Sequence, residues 1–186
     1  KLALCGQPSQ VEGLDSAVIQ ILSFDPATGS AAPIALLPPP IGNTIDGLEF
    51  SPDGSKLYLT ADHVNCAPHC YTFFQYDVSL ADETSIIASQ AVVGVGFSNY
   101  TFGQLELQMV LAPDGKIYFE NTLASNWLGV ISAPNAAGNA CGFILEYLQM
   151  PNTGGYGLPN TCRRYQDSEL ETVLHEVDRA DLSVAW

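Results

Sequence analysis

The segment Phe50-Ser51-Pro52-Asp53-Gly54-Ser55-Lys56-Leu57-Tyr58-Leu59 reads as the end of one strand, a tight turn and the start of a second strand. Proline presets φ in such a turn, aspartate bonds its own backbone two residues on, and glycine accepts the positive φ that completes it. Beyond the turn, Leu57 and Leu59 share a face opposite Tyr58, the period of two that a strand requires. Much the same phrase returns as Leu111-Ala112-Pro113-Asp114-Gly115-Lys116-Ile117-Tyr118-Phe119. A hairpin that recurs with matched flanks marks a repeat architecture built from sheets. Pro52 and Pro113 lie further apart than the roughly 40–50 residues of a common propeller blade, so extended loops are expected between them.

Working outward from these turns, residues 17–24 and 34–37 read as two strands joined by the turn Asp25-Pro26-Ala27-Thr28-Gly29. A fuller unit follows, with strands at 47–51, 56–60, 71–79 and 85–93. In 71–79, Phe74, Tyr76 and Val78 alternate with Phe73, Gln75 and Asp77. The next unit repeats the plan at 107–111, 116–119, 127–131 and 143–148. The fold class is therefore all-β: propeller-type blades of four-stranded antiparallel sheets, in units at about 17–40, 47–93 and 107–150. That amounts to about two and a half blades in a repeat domain over 1–160. A closed propeller needs at least about four, so this is a partial propeller. The strand at 17–24 carries Val18, Ile19, Ile21 and Leu22 and needs a cover: another chain, missing blades of a parent protein, or the chain's own N-terminal segment and tail helix, with pairing from outside this chain favoured.

Residues 161–186 differ in kind. Ser168 and Glu171 have capping-box spacing, and Leu170, Val173, Leu174 and Val177 recur at helical intervals. A short C-terminal helix is expected there, packing on the sheets or docking on a partner.

Composition narrows the function. The formal charge is −14 with six Lys and Arg among 186 residues, which argues against a nucleic-acid partner, since phosphate binding needs a basic face. No apolar run reaches the roughly 18 residues of a membrane span, so membrane insertion is not expected. Five cysteines suit a disulfide-permitting compartment and an extracellular or cell-surface location. Lys1 in place of Met reads as a processed or trimmed chain, whose export signal would already be gone.

Four ordered motifs carry a resemblance: Gly47 to Tyr58 around the first turn, Leu111 to Tyr118 around the second, Leu128-Gly129-Val130-Ile131-Ser132-Ala133-Pro134-Asn135-Ala136 with Ala140-Cys141, and Gly157-Leu158-Pro159-Asn160. Together they resemble the propeller-type region of large secreted surface proteins of gliding and related bacteria, which are cargo of type IX secretion. That resemblance implies an exported, multidomain setting and a propeller fold, and it transfers no catalytic residues. Where the family continues after Gly-Leu-Pro-Asn with an aromatic strand, this chain has Thr161-Cys162-Arg163-Arg164.

Chemistry-bearing residues are sparse. His63, Cys66, His69 and Cys70 form the densest set of potential ligands, but Cys-x3-Cys with His69 beside Cys70 matches no common structural zinc spacing. A Cys66–Cys70 disulfide is preferred over zinc and over free thiols, and a Cys141–Cys162 bridge would leave Cys5 unpaired; connectivity stays open. Acidic loops leave calcium as an alternative cofactor, with none as the leading expectation. Asp62, Glu106 and Glu120 adjoin strand ends, yet no nucleophile elbow, His-Glu-x-x-His or phosphate-cradling loop accompanies them. Phe97, Tyr100 and Phe102 lie in a connection where rings serve to stack on a glycan, to anchor a protein, or to pack between blades. The function expected from all this is non-catalytic: recognition or structural support in an exported surface protein. Its partners would be a protein, further blades of a parent chain, or a glycan. A propeller hydrolase or lactonase with a channel metal, and a subunit of a larger extracellular assembly, are the alternatives.

Overall fold

The computed structural model describes residues 1–6, 18–38, 45–63, 70–97, 107–120, 126–151 and 158. These form three antiparallel sheets. Sheet 1 holds β1 (Leu2–Gly6), β2 (Val18–Asp25) and β3 (Ser30–Leu37) in that order. Sheet 2 is β4 (Ile45–Phe50), β5 (Lys56–His63), β6 (Cys70–Asp77) and β7 (Ala91–Phe97). Sheet 3 is β8 (Met109–Leu111), β9 (Ile117–Glu120), β10 (Trp127–Ile131) and β11 (Phe143–Gln149). In both four-stranded sheets the strands run in sequence order, so each is a simple meander. The fold is all-β with blade-like sheets.

Both Pro-Asp-Gly turns join the first strand of a four-stranded sheet to its second, as their matched flanks predict. Gly54 (φ 67°) and Gly115 (φ 78°) take the left-handed backbone that closes each turn. The Asp53 carboxylate accepts from the Ser55 amide at 2.9 Å, and Asp114 accepts from the Lys116 amide at 3.2 Å. At the tip of sheet 1, Asp25 accepts from the Ala27 amide in the same manner.

Two expectations are corrected. First, 17–24 is not an edge awaiting another chain: β1 pairs with β2 in the register Leu2↔Leu22 to Gly6↔Val18, and β3 covers the other side. The chain's own first residues supply the missing ladder. Second, 85–93 is not one strand. Residues Glu83–Ala88 form helix α1, and β7 begins only at Ala91. Asp82 caps that helix, its carboxylate accepting from the Ser85 amide at 2.9 Å and the Ser85 hydroxyl at 2.8 Å. The tail at 161–186 lies outside the described residues.

Packing follows the alternation. On one face of sheet 2, Leu57, Leu59, Ala61, Phe74 and Tyr76 meet Ile19, Ile21, Ala35 and Leu37 of sheet 1. The opposite face carries Tyr58, Tyr71, Phe73 and Val93 against Met109, Ile117, Phe119 and Ile131 of sheet 3. Sheet 2 is thus the buried centre of a three-layer stack, which explains why β6 is buried on both faces.

Along one side β4 and β8 approach so closely that a side chain at Gly47 would run into the Leu107 carbonyl. Along the other side, extra structure is inserted. Helix α1 packs on both β3 and β6, and the Glu83 carboxylate accepts from the Leu36 amide at 2.8 Å. A 3-10 turn, Gly138–Cys141, packs on β7, where the Phe143 ring also lies against Gly94.

Candidate functional site

Chain direction sorts the connections between two ends of the stack. At one end are the short turns after β2, β4 and β8, helix α1, and the 132–142 segment between β10 and β11. These ends are tied together across sheets. Lys1 Nζ donates to the Gly54 and Val78 carbonyls at 3.2 and 2.9 Å. Tyr58 donates its hydroxyl to the Pro134 carbonyl at 2.8 Å. The opposite end is where β1, β3, β5, β7 and β9 stop, and the connections 7–17, 39–44, 64–69, 98–106 and 121–125 leave from it.

Of the residues singled out in the sequence, Cys70, Glu120 and the backbone of Asp62, His63 and Phe97 lie at this second end. In the ladder His63 pairs with Cys70, and Cys70 pairs with Phe97, so three adjacent strands bring these positions side by side. Cys66, His69, Tyr100, Phe102 and Glu106 lie outside the described residues, as do the side chains of Asp62, His63 and Phe97. Cys70 is buried. Glu120, at the matching end of β9, is buried as well. Among the described residues, no group of three or more His, Cys, Asp or Glu is gathered that could hold a metal. No described helix is long and apolar enough to cross a membrane.

The expected Cys141–Cys162 bridge is corrected in part by position. Cys141 is a free thiol, fully buried in the core between sheets 2 and 3. The 3-10 turn carries it inward beneath Tyr58, whose hydroxyl is within hydrogen-bonding reach, and burial pushes the thiol pKa up. Cys162 itself lies outside the described residues. Cys141 is therefore expected to be alkylated about a hundredfold more slowly in the native protein than in urea. Peptide mass mapping after timed iodoacetamide treatment checks this; equal rates would mean the thiol is not enclosed.

Sequence reasoning set Tyr58 opposite Leu57 and Leu59, and Gln75 in alternation with Phe74 and Tyr76, but missed the task the two share. They sit directly opposite each other in the β5–β6 ladder. Gln75 Nε2 donates to the Tyr58 hydroxyl at 2.6 Å and the Ala136 carbonyl at 2.8 Å, while its Oε1 accepts from the Gly138 amide at 2.8 Å. The pair is a polar platform on sheet 2 that grips the 132–142 segment of sheet 3. Glu49 does similar work: its carboxylate accepts from the Leu111 amide of β8 at 2.9 Å. A polar residue within a buried strand was the available signal for each.

Several of the described carboxylates are committed to structure. Hydrogen bonds from the Ser55 amide and Ser51 hydroxyl hold Asp53 below the usual carboxylate range, and Ser85 does the same for Asp82. Asp77 pairs with Lys56 at 2.7 Å. The tyrosines shift the other way. Burial raises Tyr58 and Tyr71 well above their ordinary value and pushes Tyr76 up to about 12, against the opposing bond from Gln90. An unfolded chain ionises its tyrosines near pH 10, so above that pH it binds fewer protons than the folded chain. Stability is expected to be intact below pH 10 and to fall as pH rises from about 10 to about 12. Tyrosinate absorbance at 295 nm should rise together with loss of the β signal in circular dichroism; early, non-cooperative titration of all eight tyrosines would contradict it.

No family model and no curated protein matches the chain. Among solved structures, it is similar to the periplasmic gluconolactonase PpgL of Pseudomonas aeruginosa, at 16% identity and a TM-score of 0.46. That match covers 82% of this chain and 42% of the other, so the chain spans less than half of that protein.

Proposed function

We propose that this chain is a non-catalytic recognition module of an exported bacterial surface protein, contacting a protein or glycan through the end of the stack where β5, β6 and β7 bring His63, Cys70 and Phe97 together. The observation that carries the reading is the division of labour between the two ends. At the turn end, Asp53, Asp82 and Asp114 satisfy turns and a helix cap. At the other end β7 stops at Phe97, and the sequence that follows it contains Tyr100 and Phe102, ring types suited to stacking on sugar faces or anchoring a protein. Five cysteines and the acidic surface support export, and a Cys66–Cys70 bridge would brace the β5–β6 connection.

The test measures binding and turnover side by side. The chain is titrated with a panel of soluble polysaccharides, and Tyr100→Ala and Phe102→Ala are compared with the unsubstituted protein. Loss of affinity by about tenfold or more is expected for each substitution at a contacting ring. In parallel, hydrolysis of glucono-δ-lactone is followed with calcium, with zinc and with neither. The expected rate is the spontaneous one; metal-dependent turnover would overturn this reading in favour of a lactonase with a metal in the channel.

A further inference from the structure

We propose that Asp114, at the turn between β8 and β9, is a site of spontaneous isoaspartate formation in the folded chain, and that its counterpart Asp53, between β4 and β5, is protected. Both stand in the same Pro-Asp-Gly phrase, so their intrinsic reactivity is much the same. Any difference between them comes from the fold.

Asp-Gly is the dipeptide most prone to this reaction, because glycine has no side chain to hinder its amide nitrogen. That nitrogen attacks Cγ of the aspartic acid and forms a new N–Cγ bond. The amide proton and the carboxyl hydroxyl leave as water, giving a cyclic succinimide. Water then adds to the former main-chain carbonyl and breaks its bond to nitrogen. The chain now runs through Cγ, and the old main-chain carbonyl carbon is a free carboxylate. Water is lost once and regained once, and no other reactant is needed. For attack the carboxyl group must be neutral and free to turn Cγ towards the glycine nitrogen. Hydrogen bonds that fix the ionised carboxylate oppose both.

In the first turn the fixing is short and rooted in the core. Ser51 is buried, and its hydroxyl accepts from the Lys56 amide at 2.9 Å while donating to Asp53 Oδ1 at 2.7 Å. The same oxygen accepts from the Ser55 amide at 2.9 Å, and the Asp53 amide itself donates to Asn135 Oδ1 at 3.4 Å. The second turn lacks these anchors. Ala112 stands where the first turn has Ser51, and Ser55 has no counterpart before Lys116. The Lys116 amide donates to Asp114 Oδ1 at 3.2 Å. The other oxygen is met by the Tyr118 hydroxyl at 2.9 Å and Lys116 Nζ at 3.2 Å. Those two partners are the tips of long side chains, and the Asp114 side chain is 44% exposed. An exposed ion pair of this kind holds its members weakly. The glycine amides do not separate the turns: Gly54 donates to the Ser51 carbonyl at 2.9 Å, and Gly115 to the Ala112 carbonyl at 3.0 Å. The difference lies in the anchors of the carboxylate. Its consequence would fall on sheet 3. The reaction lengthens the β8–β9 turn by one backbone atom, and β8 is held to β9 by three residue pairs, from Met109↔Phe119 to Leu111↔Ile117. So short an edge strand is expected to fray.

Incubation of the full chain in heavy-oxygen water, followed by peptide mass mapping, is the test, because succinimide hydrolysis writes a heavy oxygen into the peptide. Isoaspartyl methyltransferase confirms the isomer in the same peptides. Losing one hydrogen bond to a charged group is worth about a factor of ten in rate, so Asp114 should take up label about tenfold faster than Asp53 in the folded protein. In urea the anchors are gone and the two rates should converge. Ser51→Ala is expected to bring Asp53 up towards the Asp114 rate, and Ala112→Ser to slow Asp114, each with an unchanged circular dichroism spectrum. Equal rates in the folded chain, faster reaction at Asp53, or no label at Asp114 over a time that labels it in urea would overturn the proposal. So would a gap that persists in urea, since it would then belong to the local sequence. Should Ser51→Ala fail to fold, the two rates within the unsubstituted chain still decide, because each site is the control for the other.

Discussion

Replacing Gln75 with leucine is expected to lower the unfolding free energy by about 3 kcal/mol or more, although the two side chains are similar in size. The amide makes three bonds in a buried setting, to Tyr58, to the Ala136 carbonyl and from the Gly138 amide. Tyr58 keeps its bond to Pro134 without Gln75. Ala136 and Gly138 would lose their bonds to the amide, and each buried group left unpaired costs about 1–3 kcal/mol. These are links between sheets 2 and 3, so the damage should fall on how the 132–142 segment docks rather than on the β5–β6 ladder. Urea denaturation of Gln75→Leu, Tyr58→Phe and the double variant tests this. A coupling energy above about 1 kcal/mol between the two positions is expected, since they share one network. Strict additivity, or a loss below about 1 kcal/mol for Gln75→Leu, would mean the segment is held by other contacts.

The turns were legible because their physics is local. Glycine at positive φ and an aspartate bonding its own backbone require only a few neighbouring residues, and Asp53-Gly54 and Asp114-Gly115 satisfy that requirement in both repeats. Alternation was equally readable: Leu57 and Leu59 face one core cluster and Tyr58 the other. The misses are all contests that sequence alone does not referee. Ile86 and Ile87 favour a strand by propensity, but Asp82 and Ser85 cap a helix of six residues, and burial of Ile86 holds it in place. Strand β1 has five residues, and its partner lies beyond a connection of eleven, so its pairing leaves no local trace. The Gln75 platform was invisible for the same reason, because its partners Ala136 and Gly138 belong to another sheet. Cysteine spacing gives no connectivity, and it gave no warning that a 3-10 turn would bury Cys141.

Truncating Phe73 to alanine is expected to be the most damaging single change in the core, at about 3–5 kcal/mol. Phe73 is fully buried in the middle strand of the middle sheet. Its ring centre lies 4.4 Å from that of Phe119, 4.9 Å from that of Phe143 and 5.7 Å from that of Tyr71. Phe119 and Phe143 are themselves stacked, 5.1 Å apart at an interplanar angle of 11°. One side chain therefore joins β6 to both β9 and β11, and its removal opens a cavity where sheets 2 and 3 meet. The surrounding rings are rigid, so relaxation into the space is limited and the cavity contribution is close to its full size. Val92→Ala, at an exposed site on β7, is the control and should stay within about 0.5 kcal/mol. The site of the damage is testable too. Phe73→Ala should speed hydrogen exchange in β9 to β11 more than in β2 and β3, because sheet 1 packs on the opposite face of sheet 2 and keeps its own cluster of Ile19, Ile21 and Leu37. Equal acceleration everywhere would mean that the three sheets unfold as one unit, and that the two core clusters have no separate stability.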